Sequence, residues 1–159
     1  MTASARPASR VILGSLSRLS QILRDQSREI QARVGLSAAG LFVLEQLQSL
    51  SPVSIEALAD HCMAGSKDMA RIVKGLEEKG LAQRRPAGKS GRLHEVWISA
   101  EGKLKLRQCP DSIQSRIMAA VESLGGSRRE SLASGFASLL DVAGYLPGKE
   151  VFFTEKEEI

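Results

Sequence analysis

The stretch from Ser54 to Ser99, SIEALADHCMAGSKDMARIVKGLEEKGLAQRRPAGKSGRLHEVWIS, constrains the fold more than any other part of the chain. Its apolar residues start at a helical period and end at the period of a strand. Ser54 has the chemistry of an N-cap, and Ile55, Leu58 and Ala59 follow at the i, i+3, i+4 spacing of a buried helical face. Residues 61–65 (HCMAG) read as a tight turn, with Gly65 expected to take the backbone conformation closed to other residues. A second helix is expected from Ser66 to Lys79, with Met69, Ile72, Val73 and Leu76 turned inward and Gly80 at its C-terminal cap. That leaves Ser66, Lys67, Asp68, Arg71 and Lys74 on the outward face.

From Leu81 the period shortens to two. Leu81 opens a short strand, which Pro86 is expected to stop as an edge-tolerant residue. Gly88 and Gly91 bracket Lys89 and Ser90 in a hairpin tip, and Val96 and Ile98 alternate inward on the return strand, opposite Glu95 and Trp97. From Gln83 to Arg92 the chain carries Arg84, Arg85, Lys89 and Arg92 and no acid, although the whole chain has a net charge of only +4. The basic character is therefore local. Two short helices joined by a turn can set the second helix in the major groove, and a basic hairpin beside it can hold the flanking phosphates. The expected partner is double-stranded DNA. Lys67 and Arg71 are placed to reach base edges, and Arg84, Arg85, Lys89 and Arg92 to meet phosphate or the minor groove. The fold class this implies is mainly α (α+β): a winged helix-turn-helix with flanking N- and C-terminal helices forming a dimerisation region.

At this point the residues resemble those of the MarR family of bacterial winged-helix transcription regulators. Leu36-Ser37 followed by Phe42-Val43-Leu44 is similar to the family's entry into the helix before the helix-turn-helix, and 55–59 (IEALA) to its support helix. The run 71–81 (RIVKGLEEKGL) is close to the family's R-L-V-D-x-L-E-x-K-G-L. Arg92 through Ser99 resembles the wing's R-x-x-x-V-x-L-T, and Ala100-Glu101-Gly102 continues it. The resemblance is detailed from Leu36 to Gly102 and looser over the helices on both sides. It departs from the pattern at Ser90, where the family usually has an aspartate thought to hold the wing, and serine gives a weaker restraint. It departs again at Asp68, where threonine or serine is usual. Asp68 can be read as an acceptor for cytosine N4 or as compensation of the helix dipole. The resemblance implies a homodimer on a pseudo-palindromic operator, a repressor role, and a small aromatic or anionic effector that modulates DNA affinity.

The flanking segments carry apolar stripes that a domain of this size cannot bury alone. From Arg10 to Arg33, Ile12, Leu16, Leu19, Leu23 and Ile30 recur at near-heptad spacing. After the wing, Ser99 caps a helix that Pro110 interrupts, and Ile113, Ile117, Val121 and Leu124 continue the stripe to Gly125-Gly126. Ser127 and Glu130 have the spacing of a capping box for a last helix bearing Leu132, Phe136, Leu139, Leu140 and Ala143. The 10–33 stripe can also be read as a single amphipathic helix packed on its own domain, but in the resembling family such helices interlock with those of a second subunit. The resemblance thus implies a helical dimerisation region at 10–35 and 103–146 around a winged-helix region at 36–102, the two making one unit over 10–146. Residues 1–9 are expected to be a disordered tail and 147–159 a mobile one.

Other function classes find less support. Two histidines and no phosphate-binding glycine loop assemble no nucleophile, base and orienting group, so no enzyme and no cofactor is expected. His61, Cys62 and His94 match no recognised metal-ligand spacing. Two distant cysteines form no disulfide framework, and a cytoplasmic protein is expected. No apolar run approaches membrane-spanning length, and no signal-peptide core precedes the first helix. Cys62 leaves two readings open, a redox-sensing thiol or a buried structural one; its place at a helix C-terminus raises a thiol pKa and favours the second. A winged helix that binds protein rather than DNA is a further alternative. The charge on Lys67, Arg71 and Lys74 argues against it, because protein interfaces lose charge at their centre.

Overall fold

The structure, a computed structural model, describes residues 5–88 and 93–145. Contacts divide the chain into two compact units, Met1–Ala38 and Ala39–Ile159, where the sequence reading expects one over 10–146. The expected tail 147–159 lies outside the described residues. Of the expected tail 1–9, residues 5–9 are helical.

The first unit holds α1, Ala5–Val34. The helix starts five residues before Arg10, where the expected segment begins; Pro7 falls in its first turn, where a missing N–H costs nothing. Along the stripe Ile12 is exposed, Leu16, Leu19 and Leu23 are half-buried and Ile30 is buried; Val11, Leu13 and Ile22 are also exposed.

The second unit is built round α2, Ala38–Leu50. Leu41, Phe42, Val43, Leu44 and Leu47 are all buried. A helix apolar on nearly every side belongs at the centre of a domain. After it, β1 (Val53–Ser54), β2 (Ala82–Ala87) and β3 (Leu93–Ile98) form an antiparallel sheet in the order β1-β3-β2. β1 is too short to show an alternating pattern, so the sequence reading did not include it. It pairs Val53 with Val96 and Ser54 with Glu95. Pro86 lies within β2 rather than ending it. It is tolerated because β2 is an edge strand.

Two helices precede the hairpin. α3 (Ile55–His61) is capped by Ser54, whose hydroxyl accepts from the Ala57 N–H at 3.1 Å. α4 runs Ser66–Glu78. The turn between them differs from expectation. Met63, not Gly65, has the left-handed backbone (φ 52°), while Gly65 is the extended N-cap of α4 (φ −69°, ψ 143°). The cause is the way α3 ends. Ala64 N–H reaches Ala59 O at 2.9 Å and Met63 N–H reaches Asp60 O at 3.2 Å. That double bond pattern demands a left-handed residue one place beyond the cap, and the chain has methionine there. α4 ends the same way, with Leu81 N–H on Leu76 O and Gly80 in the left-handed position at φ +72°.

α5 (Ala100–Arg107) is capped by Ser99, which accepts from Gly102 N–H at 2.9 Å and donates to Gly80 O at 2.6 Å. α6 covers Ile113–Ser123 and α7 covers Gly126–Val142. The expected capping box of Ser127 and Glu130 does not start α7. The helix begins at Gly126 with Gly125 as N-cap and no side-chain cap bond. Arg129 explains the earlier start. Its guanidinium donates to Glu122 O and Leu124 O, tying the end of α6 to the first turn of α7. α7 has no buried residue, and Leu132, Phe136, Leu139 and Leu140 are exposed.

Candidate nucleic-acid interface

The outward face of α4 follows from its inward one. Met69, Val73 and Leu76 are buried, which turns Lys67, Arg71 and Lys74 to solvent on a single stripe. Ser66 is exposed with them and Asp68 is partly covered. Arg71 lies 3.5 Å from Asp68, and Lys74 lies 3.8 Å from Glu78. Both cations are exposed, so the pairs contribute little to stability and are easily exchanged for a polyanion. Asp68 thus has a partner on its own helix as well as a place in the first turn.

Beside α4, the hairpin register sorts the basic residues onto two faces. Arg84 pairs with Val96, whereas Gln83 pairs with Trp97 and Arg85 with Glu95. Arg85 stacks its guanidinium 5.2 Å from the centre of the Trp97 ring and donates to Gln83 Oε1 at 3.0 Å. It is exposed, and the stack holds its long side chain in a restricted set of positions. Trp97 is therefore part of the base of the wing. Lys89, Ser90 and Arg92 lie outside the described residues.

Arg84 is placed differently from the other expected contacts. Glu77 on α4 accepts from the Arg84 backbone N–H at 3.0 Å through Oε1 and from Arg84 Nε at 3.0 Å through Oε2. The guanidinium also donates to Ala70 O at 3.3 Å. It therefore has partners within the protein, on the side of the hairpin facing α4, although the residue is exposed. The sequence reading did not single out Glu77. The available signal was an acid in the last turn of the helix with an arginine seven residues on, across a helix-to-strand turn.

The remaining candidates are not brought into a reactive arrangement. Cys62 is 1 % exposed, and burial pushes its thiol up to about 12. Burial also raises the Cys109 thiol, with Lys105 lowering and Glu45 raising it. His61 is exposed and meets Gln46 Oε1 at 3.0 Å. Among the described residues no three His, Cys, Asp or Glu side chains gather to hold a metal ion, and no helix is long and apolar enough to cross a membrane.

No protein-family model matches the sequence, and no curated protein does. Solved structures do match in fold. The Staphylococcus aureus MepR–DNA complex superposes with a TM-score of 0.59 at 11% identity, over 85% of this chain and 97% of that one. Streptococcus pneumoniae FabT in complex with DNA gives 0.58 at 12% identity, over 86% and 97%. A MarR/EmrR family transcriptional regulator from Acinetobacter sp. ADP1 gives 0.58 at 16% identity, over 87% and 98%. With its helix-turn-helix, its three-stranded sheet and its flanking helices, the chain has the winged-helix fold of the MarR-family transcriptional regulators.

Proposed function

We propose that this chain is a sequence-specific DNA-binding transcription regulator. The observation that carries the reading is the exposed Lys67, Arg71 and Lys74 stripe on α4 beside a hairpin that presents Arg85. A helix with a cationic outer face next to a basic edge fits a major groove and its flanking phosphates. MepR and FabT, which share the fold, are seen in complex with DNA.

The acting species in this reading is a homodimer on a pseudo-palindromic site. α7 buries no residue and exposes Leu132, Phe136, Leu139 and Leu140. α1, in its own unit, exposes Val11, Ile12 and Leu13. Exposed apolar helix faces of this length call for cover, and a second copy supplies it symmetrically. Two reading heads related by a two-fold then meet successive major grooves about 34 Å apart. Repression, relieved by a small aromatic or anionic effector, completes the proposal. Release by oxidation of Cys62 is disfavoured by the burial of that thiol.

The test is selection of duplexes from a random pool by the purified protein, followed by affinity titrations across salt concentrations. A bipartite site and a steep fall of affinity with salt are expected. Binding that ignores both sequence and salt would sink the reading.

A further inference from the structure

We infer that Glu77 and Arg84 are a positioning pair that fixes the wing strand to the reading helix, and that Arg84 is not itself a phosphate contact. The inference rests on the DNA-binding reading and adds a residue that a count of basic side chains would misassign.

Both carboxylate oxygens of Glu77 are committed to one residue of β2, one to its backbone and one to its side chain. The Arg84 guanidinium then extends to Ala70 O, so a single side chain touches α4 at positions seven residues apart, on one face of the helix. About a third or less of each side chain is exposed. Ion-assisted bonds with this geometry are stronger and more directional than the open pairs of Arg71 and Lys74. The bond to backbone N–H matters most, because it fixes the strand itself rather than a mobile side chain. Wing and helix are thereby presented to DNA as one body, with less orientation to lose on binding. Arg85, on the other face of the strand, keeps its charge available.

The two roles predict opposite signs for one substitution. Glu77 is an acid beside a polyanion, so simple electrostatics makes Glu77→Gln bind DNA more tightly. A positioning role makes it bind more weakly. The experiment titrates a fluorescent duplex, selected from a random pool by the parent protein, with parent, Glu77→Gln, Arg84→Gln and the double variant at several salt concentrations. Far-UV circular dichroism verifies the fold of each. The expected result is roughly tenfold weaker binding for each single variant, and for the double variant a loss no greater than either alone. The salt slope stays at the parent's value.

Equal or tighter binding by Glu77→Gln overturns the inference. So does a fall in slope of about 0.9 per subunit in Arg84→Gln, the mark of a lost phosphate contact. Should Glu77→Gln not fold, Arg84→Lys carries the same decision. It keeps the charge but lacks the fork needed for Glu77 and Ala70 together, so weakened binding at unchanged slope supports the pair and unchanged affinity overturns it. A parent that binds no duplex refutes the DNA-binding reading instead, and is recognised as such before any variant is compared.

Discussion

Glu45 in the middle of α2 holds Ser112 at the start of α6 by two hydrogen bonds across 67 residues of chain. One carboxylate oxygen accepts from Ser112 N–H at 2.6 Å and the other from Ser112 Oγ at 2.5 Å. Ser115 Oγ adds a third bond at 2.5 Å, while the Ser112 hydroxyl also caps α6 by accepting from Ser115 N–H. A side chain of the central helix thus replaces water at the N-terminus of α6, where an anion is favoured. Glu45→Ala removes the acceptor and leaves these donors part-buried and unmatched. It is expected to cost about 2–3 kcal/mol. Thermal unfolding should shift down by roughly 5–10 °C; an unchanged midpoint would show the cluster to be incidental.

Gly102 is set by close approach. A β-carbon there would collide with the carbonyl oxygen of Leu81 and come within 2.9 Å of Ile98 Cγ1. The carbonyl cannot yield easily, because Leu81 O also receives Ser99 N–H at 3.0 Å. Gly102→Ala is expected to destabilise by about 1–3 kcal/mol despite the better helix propensity of alanine. Denaturant titration measures it, and a stabilised variant would refute the packing argument.

Cys62 gives a pH dependence with a definite sign. Burial raises its thiol from 9.0 to about 12, so between these values the unfolded chain has lost a proton that the folded protein keeps. Stability linked to this group is intact below pH 9 and declines as pH rises toward 12. Cys62→Ala should lessen that decline relative to the parent in urea titrations across the alkaline range. The same burial predicts that native protein resists peroxide. Release of the parent from DNA by peroxide, with Cys62→Ala resistant, would reinstate the redox reading.

Arg71 and Arg85 should fail differently. Arg71→Ala is expected to cost about 1–3 kcal/mol on the selected duplex and to relax preference at one base position per half-site. Arg85→Ala should weaken all duplexes alike and lower the salt slope by about 0.9 per subunit. Competition with single-base variants of the site separates the two patterns; uniform loss in both would mean α4 is not the reader.

Phe136 tests the assembly. It sits in the exposed apolar row of α7, a helix with nothing buried within the chain, so a charge there should not unfold the second unit. Phe136→Glu is expected to give a monomer by light scattering at micromolar concentration. Loss of the second reading head should then lower affinity for a two-half site by roughly a hundredfold or more. A variant that remained dimeric would move the interface away from α7.

Much of the reading head was legible in the sequence because it is specified by neighbours along the chain. Ser54 and Ser99 cap their helices from three residues away, and the 69, 73, 76 spacing alone decides which side of α4 faces solvent. Gly80 marks a helix end since its left-handed backbone is a local demand. These features need only the period of a helix and the chemistry of its ends.

The rest was decided either between competing local signals of nearly equal strength or, for Arg84, by a partner that only the tertiary structure supplies. The left-handed place after α3 fell to Met63 although Gly65 was two residues on, because the closing bonds to Ala59 and Asp60 fix the position and not the residue type. Arg129 reached back to Glu122 and Leu124, and α7 began before its apparent capping box. Arg84 read as one more cation in a basic stretch. Its register opposite Val96 turned it toward α4, where Glu77 pairs with it. A sequence shows which residues carry charge. Whether a charge is left for a ligand depends on what the fold sets against it, since a nearby opposite charge outcompetes a remote one.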